Sequence, residues 1–193
     1  IFYYNIKSSK AQLLFFLFSY RIVLYYVQYK GLLFYILQIF WEVFLMDSVI
    51  FDVDGTLWDS TGIVAEAWSD YLIHTEHMDT DVSAKRLMGL FGQLLPDIAK
   101  ALFPELPEAE QLRIIDGCCQ AEHEALLRKC APLYPDLEET LKILSSRFPL
   151  FIVSNCQAGY IEVFLKSTGF GHYFKGHLFP GDTGMAKGEN ITK

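Results

Sequence analysis

Two carboxylates separated by one residue are the first groups in this sequence whose types and spacing suit catalysis. Asp52 and Asp54 follow directly on the apolar run 48–51. Gly55, the next residue, permits a sharp turn of the chain. Residues two apart on a strand share a face, so both carboxylates can reach the same pocket. There one can act as a nucleophile and the other as a general acid or base, and the pair can attract Mg²⁺.

A second group of polar residues offers the contacts that a phosphate requires. Ser154 and Asn155 follow the apolar run 150–153, and Ser154 supplies a hydroxyl together with backbone N–H groups. Lys187 supplies a compact positive charge of the kind that binds phosphate. A carboxylate nucleophile, Mg²⁺, a hydroxyl and a lysine together indicate a phosphoryl-transfer site.

Short strands and a set of helices must position these groups. The runs 48–51 and 150–153 are brief and strongly apolar, which is typical of buried strands. A third strand is predicted near 177–179, and a loop is predicted over 180–184. Apolar residues at helical spacing predict helices over 61–77, 82–90, 94–103, 107–129, 137–147 and 158–167, with a further helix beginning near 187.

This order of elements predicts an α/β core that carries an all-helical insertion of about 70 residues between its first two strands. Ligands of such cores bind at the carboxyl ends of the strands. Both polar clusters, 52–54 and 154–155, follow the end of a predicted strand. We therefore expect the two clusters to contribute to one site.

The composition of the chain excludes two broad classes of protein. The chain carries 23 acidic and 16 basic residues, and 52% of its residues are hydrophobic. That apolar content is enough for a core and excludes disorder throughout. The acidic balance argues against a nucleic-acid partner, because nucleic-acid binders usually present a basic face. The four cysteines form no CxxC pair, which favours reduced thiols in a cytosolic protein.

Residues 1–45 differ in composition from the rest of the chain. They carry a charge of +3 and are rich in Phe, Tyr, Leu and Ile, whereas residues 46–193 carry a charge of −10. Three interpretations are open: a membrane anchor, a targeting peptide, or translation extended upstream of a natural start at Met46. Charged residues divide the apolar part into runs too short for a clean membrane span. We favour upstream translation, since AT-rich codons supply these residue types, and expect a cytoplasmic protein rather than a membrane-anchored one.

Three segments, in order along the chain, resemble the motifs of the haloacid dehalogenase superfamily. Residues 49–57 (VIFDVDGTL) resemble its first motif, an apolar strand followed by DxDGT. Residues 151–155 (FIVSN) resemble its second motif, an apolar strand that ends in Ser or Thr. Lys187, within 184–190 (GMAKGEN), resembles the third motif. The helical insertion resembles the cap of the branch that contains phosphoglycolate phosphatases and β-phosphoglucomutases.

The resemblance implies a fold and a division of the chain into parts. We expect a Rossmann-like core formed by 46–60 and 133–193. A helical cap would comprise 61–132, and the leader 1–45 would lie outside the fold. The family's fourth motif, an acidic pair after a further strand, does not occur before the last residue. We therefore expect the core to be incomplete, with its last strands missing.

The resemblance also implies a role for each polar residue. Asp52 would attack phosphorus to form an aspartyl-phosphate, and Asp54 would protonate the leaving oxygen and later activate water. The Asp52 carboxylate and the Asp54 backbone carbonyl would hold Mg²⁺. The remaining groups would bind the phosphoryl oxygens: Ser154, Lys187 and backbone groups near Gly55 and Asn155.

The function implied by the resemblance is Mg²⁺-dependent hydrolysis of a small phosphorylated metabolite. Two alternatives stay open, namely a phosphomutase of the same superfamily and a non-catalytic remnant. Because the fourth motif normally completes the Mg²⁺ shell, we expect this chain by itself to have little or no activity. The expected partner is thus a small-molecule phosphate ester, and the oligomeric state is open.

Overall fold

The sheet at the centre of the described residues has three strands in the order β1-β2-β3, namely Val49–Phe51, Leu150–Val153 and Phe174–Leu178. The structure, a computed structural model, describes residues 47–192. β2 and β3 are parallel, with Ile152 opposite His177 and Val153 opposite Leu178. The order of strands in the sheet therefore follows their order along the chain, although a long helical segment separates the first two.

Five helices lie between β1 and β2 in the described part of the chain, and the others follow β2. The first five, α1 to α5, are Thr61–His74, Ala84–Met88, Leu95–Leu102, Glu108–Arg128 and Leu137–Ser145. The later ones, α6 to α8, are Tyr160–Thr168, Pro180–Thr183 and Lys187–Thr192. A 3-10 helix over Phe170–Tyr173 leads into β3. This arrangement confirms the predicted α/β fold with an inserted helical cap.

Local sequence explains where two of the longer helices begin and end. α4 begins after Pro107 and carries Glu108 and Glu110 in its first turn. Negative side chains are favourable there, because the helix dipole places partial positive charge at the amino end. α6 ends before Gly169, which adopts a left-handed conformation with φ 75° and donates its backbone N–H to the Leu165 carbonyl. A glycine in that conformation is a common helix terminator.

The structure differs from the sequence prediction over 180–184. The sequence predicts a loop, and the structure has the one-turn helix α7 instead, so that prediction was wrong. Pro180 provides a helical φ at the first position, and Gly184 adopts φ 69° and ends the turn. The prolines and glycines that mark loops also mark the ends of short helices. β3 likewise begins earlier than predicted, at Phe174.

Helices α1 and α4 pack along each other and form the apolar centre of the helical segment. Trp68 and Leu72 of α1 are buried, as is Ile115 of α4. The two helices approach closely at Gly117, where an added Cβ would lie 2.0 Å from the Tyr71 hydroxyl oxygen. Only glycine leaves room for the tyrosine ring at this point of α4.

The chain enters the helical segment 61–132 through Trp58 and Asp59 and leaves it through Pro132 and Leu133. These two passages lie side by side. The Asp59 backbone N–H donates to the Pro132 carbonyl at 2.9 Å, and Trp58 forms an isolated antiparallel bridge with Leu133. Trp58 is fully buried and stacks edge-on against Phe164 of α6, with ring centroids 5.0 Å apart. These contacts tie both ends of the helical segment to the core beneath it.

Within residues 47–192, no helix combines the length and the apolar character needed to cross a membrane. The three interpretations of residues 1–45, as an anchor, a targeting peptide or an upstream translation product, concern residues outside the described range. Those interpretations stay predictions.

Replacing Gly117 by alanine is expected to destabilise the protein, because the new methyl group would overlap the Tyr71 ring. The Tyr71 hydroxyl donates to Glu76 at 2.6 Å, so moving the ring also weakens that hydrogen bond. Overpacking of this kind costs about 1–3 kcal/mol in the free energy of unfolding, and the better helix propensity of alanine offsets roughly 1 kcal/mol of that cost, so the expected net loss is up to about 2 kcal/mol. Urea titration of the full chain measures it.

Gly62→Ala is the matched control, since no atom lies within 4 Å of a Cβ added at Gly62 in α1. Alanine is the better helix former by roughly 1 kcal/mol, so this variant should equal or exceed the wild type in stability. A Gly117→Ala protein as stable as the control would contradict the close approach of the two helices.

Candidate active site

A small cavity lies where β1 and β2 end. Asp52 is the first residue after β1 and Ser154 the first after β2, and both line the cavity together with Asp54 and Asn155. The two polar clusters therefore meet, as expected at the carboxyl edge of an α/β sheet. Residues of the helical segment form the facing walls: Trp68, Phe91, Gly92, Gln93, Leu95, Ile98 and Glu122.

Asp52 forms an ion pair with Lys187, the first residue of α8. The Lys187 Nζ lies 2.6 Å from Asp52 Oδ2, and Asp52 Oδ1 accepts a hydrogen bond from the Val53 backbone N–H at 2.9 Å. The Asp52 side chain is 27% exposed and that of Lys187 17%, so water screens the pair only partly. Both carboxylate oxygens are thus held, and the carboxylate is oriented beside a cation.

The Asn155 side chain positions Lys187. Its Oδ1 accepts a hydrogen bond from the Lys187 backbone N–H at 2.8 Å, which fixes the start of α8. Its Nδ2 donates to the Gly92 carbonyl at 2.8 Å, which lies in the helical segment. Since both ends of this amide are engaged, a contact of Asn155 with phosphate would have to come from its backbone.

One oxygen of Asp54 accepts three hydrogen bonds. The donors to Oδ1 are Trp58 Nε1 at 3.2 Å, Ser60 Oγ at 2.6 Å and the Tyr160 hydroxyl at 2.5 Å. Burial raises the pKa of Asp54, the three hydrogen bonds oppose this, and the charge of Asp52 raises the pKa further. The net rise favours the protonated form, which is the form that a general acid needs.

Gly55 and Ser154 already use their backbone N–H groups. Gly55 adopts φ 70° in the turn after Asp54 and donates to the Trp58 carbonyl at 3.1 Å. A phosphate bound by the Gly55 N–H would have to exchange that bond. Ser154 is 5% exposed, and its N–H donates to the Leu178 carbonyl at 3.3 Å. Its hydroxyl is therefore the group that Ser154 can offer to a ligand in the cavity.

Glu122 is a buried acid of the cavity wall that no sequence motif identifies. It is 4% exposed, and its carboxylate accepts hydrogen bonds from Trp68 Nε1 at 2.7 Å and from Gln157 Nε2 at 2.6 Å. Burial raises its pKa to about 8. The signal that could have found it is its place in α4, since it interrupts a buried stripe of apolar residues at helical spacing: Ile115, Cys118, Cys119 and Leu126.

The partners of Asp54 are also absent from the sequence prediction. Tyr160 lies more than 100 residues away along the chain, so no local pattern relates the two. Ser60 occupies the position before α1, where a serine often caps the helix. Its side chain makes no such capping bond and donates to Asp54 instead. Only the folded chain shows that this serine belongs to the site.

The oxygen donors at the strand ends fit a hard divalent cation. The Asp52 carboxylate and the Asp54 backbone carbonyl are the ligand types that Mg²⁺ prefers, and Mg²⁺ commonly needs only one or two carboxylates beside waters and substrate phosphate. Within the described residues, no group of three or more His, Cys, Asp or Glu side chains is arranged to hold a metal ion. These residues would therefore supply part of a coordination shell.

The sequence of this chain was compared with models of known protein families, and one model matches it. The model of the haloacid dehalogenase-like hydrolases matches residues 49–190. The chain belongs to this family. The matched range contains the ends of β1 and β2 and also Lys187, and it confirms the resemblance that the three sequence motifs indicate.

Several solved structures share the fold of this chain. A predicted phosphatase from Clostridium acetobutylicum has a TM-score of 0.56 at 18% sequence identity. A predicted phosphoglycolate phosphatase from Haemophilus somnus has 0.59 at 23%, and a haloacid dehalogenase-like hydrolase from Streptococcus pneumoniae has 0.55 at 24%. Each similarity covers 69% of this chain and, in that order, 60%, 62% and 60% of the other.

The chain thus spans about three fifths of the length of these relatives. At such identities the likeness shows the fold alone, because one fold hosts many functions. No protein among the curated sequences matches this chain.

The stability of the protein is expected to fall with rising pH because of Glu122. Its pKa is about 8 in the folded chain against an ordinary value of 4.5, so between these values the folded state keeps a proton that the unfolded state releases. Raising the pH from about 5 to about 8 should lower the free energy of unfolding by a few kcal/mol. Glu122→Gln cannot ionise and should lose most of this slope, as measured by urea unfolding at each pH.

Glu124→Gln is the matched control for this experiment. Glu124 lies on the same helix, is exposed, and pairs with Arg128 at 3.6 Å. Its variant should keep the wild-type dependence on pH. An unchanged slope in Glu122→Gln would show that Glu122 does not hold the proton.

Proposed function

We propose that this protein hydrolyses phosphate monoesters of small metabolites through an aspartyl-phosphate formed on Asp52. The observation that carries the proposal is that Asp52, Asp54 and Ser154 line one cavity at the strand ends and that Lys187 forms an ion pair with Asp52. Lys187 reaches this place from a separate element and lies 2.6 Å from Asp52. A carboxylate nucleophile, a second acid, a hydroxyl and a fixed cation are the parts of a phosphoryl-transfer site. Membership of a hydrolase family supports water as the final acceptor.

In the first half of the proposed reaction, an Asp52 carboxylate oxygen attacks phosphorus. A bond forms between Asp52 and phosphorus while the bond between phosphorus and the alcohol oxygen breaks, and the alcohol oxygen leaves with the electron pair. The Lys187 ammonium and the Val53 N–H orient the carboxylate before attack. Prior orientation of this kind removes part of the entropic barrier.

Asp54 is proposed to supply the proton that the leaving alcohol oxygen requires. Trp58, Ser60 and Tyr160 hold it through Oδ1, which leaves the other oxygen for the reacting group. Once ionised, the same carboxylate takes a proton from the water that attacks phosphorus. The bond between phosphorus and Asp52 then breaks, inorganic phosphate leaves, and both carboxyl groups return to their starting forms.

The transferred phosphoryl oxygens are proposed to bind Lys187 and the Ser154 hydroxyl, with backbone groups near Gly55 and Asn155. Fixed donors at these oxygens stabilise the charge of the transition state more than water does, because they need no reorganisation. The Asp52 carboxylate and the Asp54 carbonyl would hold Mg²⁺, which when bound supplies further neutralisation of the phosphate charge.

Asp52→Asn is expected to abolish transfer of phosphate to the protein. The full chain is mixed with Mg²⁺ and ³²P-labelled acetyl phosphate and then quenched in acid, so that the aspartyl-phosphate survives. Wild-type protein should acquire a label that hydroxylamine removes, and Asp52→Asn should acquire none, because an amide oxygen is a poor nucleophile. This readout needs transfer to Asp52 alone and not complete turnover.

Asp70→Asn is the control for the labelling experiment, since Asp70 is an exposed acid of α1. It should be labelled as the wild type is. Label retained by Asp52→Asn, or no label in the wild type, would refute the proposed nucleophile. Transfer of the label to water as inorganic phosphate, rather than to an added alcohol acceptor, separates hydrolysis from a phosphomutase reaction.

Asp54→Asn is expected to slow transfer in a way that depends on the leaving group. Acetate leaves without a proton, so labelling by acetyl phosphate should change little. An alkoxide needs the proton, so the single-turnover rate with 2-hydroxyethyl phosphate should fall about 10²–10⁴-fold. Asparagine keeps an acceptor for Trp58, Ser60 and Tyr160, which limits structural damage. Equal losses with both esters would contradict the role of Asp54 as general acid.

A further inference from the structure

One wall of the cavity is built around Glu122, to which the proposed mechanism assigns no role. The carboxylate comes from α4 and meets Gln157, which follows β2, at 2.6 Å, and Trp68 of α1 at 2.7 Å. Gln157 Nε2 also lies 3.2 Å from His123 Nε2. Burial lowers the pKa of His123, which favours its neutral form. The groups around the Glu122 carboxylate are therefore neutral donors, and none of them compensates its charge.

The charges along the cavity are unevenly distributed. Among the described residues that line it, Asp52, Asp54 and Glu122 are acidic, and none is Lys, Arg or His. The cation beside the reaction centre is Lys187, which lies against Asp52. In the proposed reaction, Lys187 binds the transferred phosphoryl group. A second anionic group on the substrate would find no positive side chain in this lining and would face Glu122.

The cavity is also small. Its volume is about 40 Å³, which is space for only a few water-sized groups. The Asn155–Gly92 hydrogen bond holds the segment containing Phe91 and Gly92 across it. A second cavity of about 240 Å³ also borders Asp52 and Asp54, and Glu122 does not line it. An alcohol part that enters the smaller cavity has few atoms, and these atoms lie close to the Glu122 wall.

We propose that Glu122, supported by Gln157 and Trp68, selects phosphate monoesters whose short alcohol part carries a hydroxyl or ammonium group and no second anionic group. The proposal rests on the proposed function, because it concerns the leaving group of that reaction. Each carboxylate oxygen of Glu122 accepts one hydrogen bond from the protein and can accept another from a ligand. A hydrogen-bond donor on the substrate can bind a Glu122 oxygen. A carboxylate on the substrate has no hydrogen to donate and places its own acceptor oxygens against those of Glu122.

Above about pH 8, where Glu122 is ionised, charge reinforces the same selection. A buried carboxylate without a counter-charge is unfavourable, and an ammonium group on the substrate supplies the missing cation. A hydroxyl group donates to the carboxylate and remains neutral. A carboxylate on the substrate would bring a fourth acid into a lining that already has three. Selection against esters that carry a carboxylate therefore follows from the acidic lining of the cavity.

Three two-carbon esters that differ in one group test this selection: 2-hydroxyethyl phosphate, 2-aminoethyl phosphate and phosphoglycolate. Single-turnover transfer to Asp52 of the full chain is measured with Mg²⁺ at about pH 8.5, above the pKa of Glu122. The apparent second-order rate constants for the hydroxyl and amino esters should exceed that for phosphoglycolate at least tenfold. Acetyl phosphate serves as a reference that carries neither group.

Glu122→Gln should remove most of this discrimination. Glutamine keeps an acceptor for Trp68 or Gln157 but carries no charge, so the rate with 2-aminoethyl phosphate should fall about tenfold relative to the rate of the same variant with acetyl phosphate. Glu124→Gln, an exposed change on the same helix, should keep the wild-type order of the three esters.

The outcomes separate this proposal from the one on which it rests. Transfer from acetyl phosphate together with equal or faster transfer from phosphoglycolate would overturn the selectivity and leave the phosphatase proposal standing. An unchanged order in Glu122→Gln would remove Glu122 from the selection. Failure of every ester, acetyl phosphate included, would overturn both proposals. The wild-type order alone tests the selection even where the variant folds poorly.

Discussion

The amide of Asn155 is the contact on which the rest of the site depends. Its oxygen accepts a hydrogen bond from the Lys187 backbone, and its nitrogen donates to the Gly92 carbonyl, so one side chain joins the end of β2, the start of α8 and the helical segment. Lys187 then reaches Asp52 at the end of β1. An amide can do this because it carries one acceptor and one donor group on the same short arm. A carboxylate of the same size would lose the hydrogen bond to Gly92, and an alkyl group would lose both connections.

Two buried acids impose a cost that the surrounding fold has to offset. Asp54 and Glu122 both have raised pKa values because burial disfavours their charged forms. Each is held by neutral donors, and an aromatic N–H contributes in both cases, from Trp58 and from Trp68. Sites that carry out chemistry commonly depart from maximal stability in this way. The closely packed pair of helices α1 and α4 provides the rigid support that keeps Glu122 in the cavity wall.

Much of the fold and part of the site can be predicted from short stretches of sequence. The apolar runs before Asp52 and Ser154 predict β1 and β2, because a brief β-branched or apolar run is stable only when both faces are buried. Helical spacing predicts the long helices, whose ends agree with the structure to within a few residues. The one-turn helix α7 could not be predicted in this way, since its proline and glycines are equally typical of a loop. Asp52 and Ser154 stand out because strand ends gather at one edge of such a sheet, and Lys187 stands out because the segment around it resembles the third motif.

The sequence by itself therefore determined the family, the order of strands and helices, and which polar residues follow the strands. Only the tertiary structure decided that Tyr160 and Ser60 hold Asp54, that Asn155 positions Lys187, and that Glu122 forms a wall of the cavity. The physical reason is that sequence patterns report on residues close together along the chain, whereas the contacts of a site join residues far apart along it. Periodicity and motifs report neighbours along the chain, whereas the hydrogen bonds of a buried carboxylate come from whichever elements the packing brings beside it.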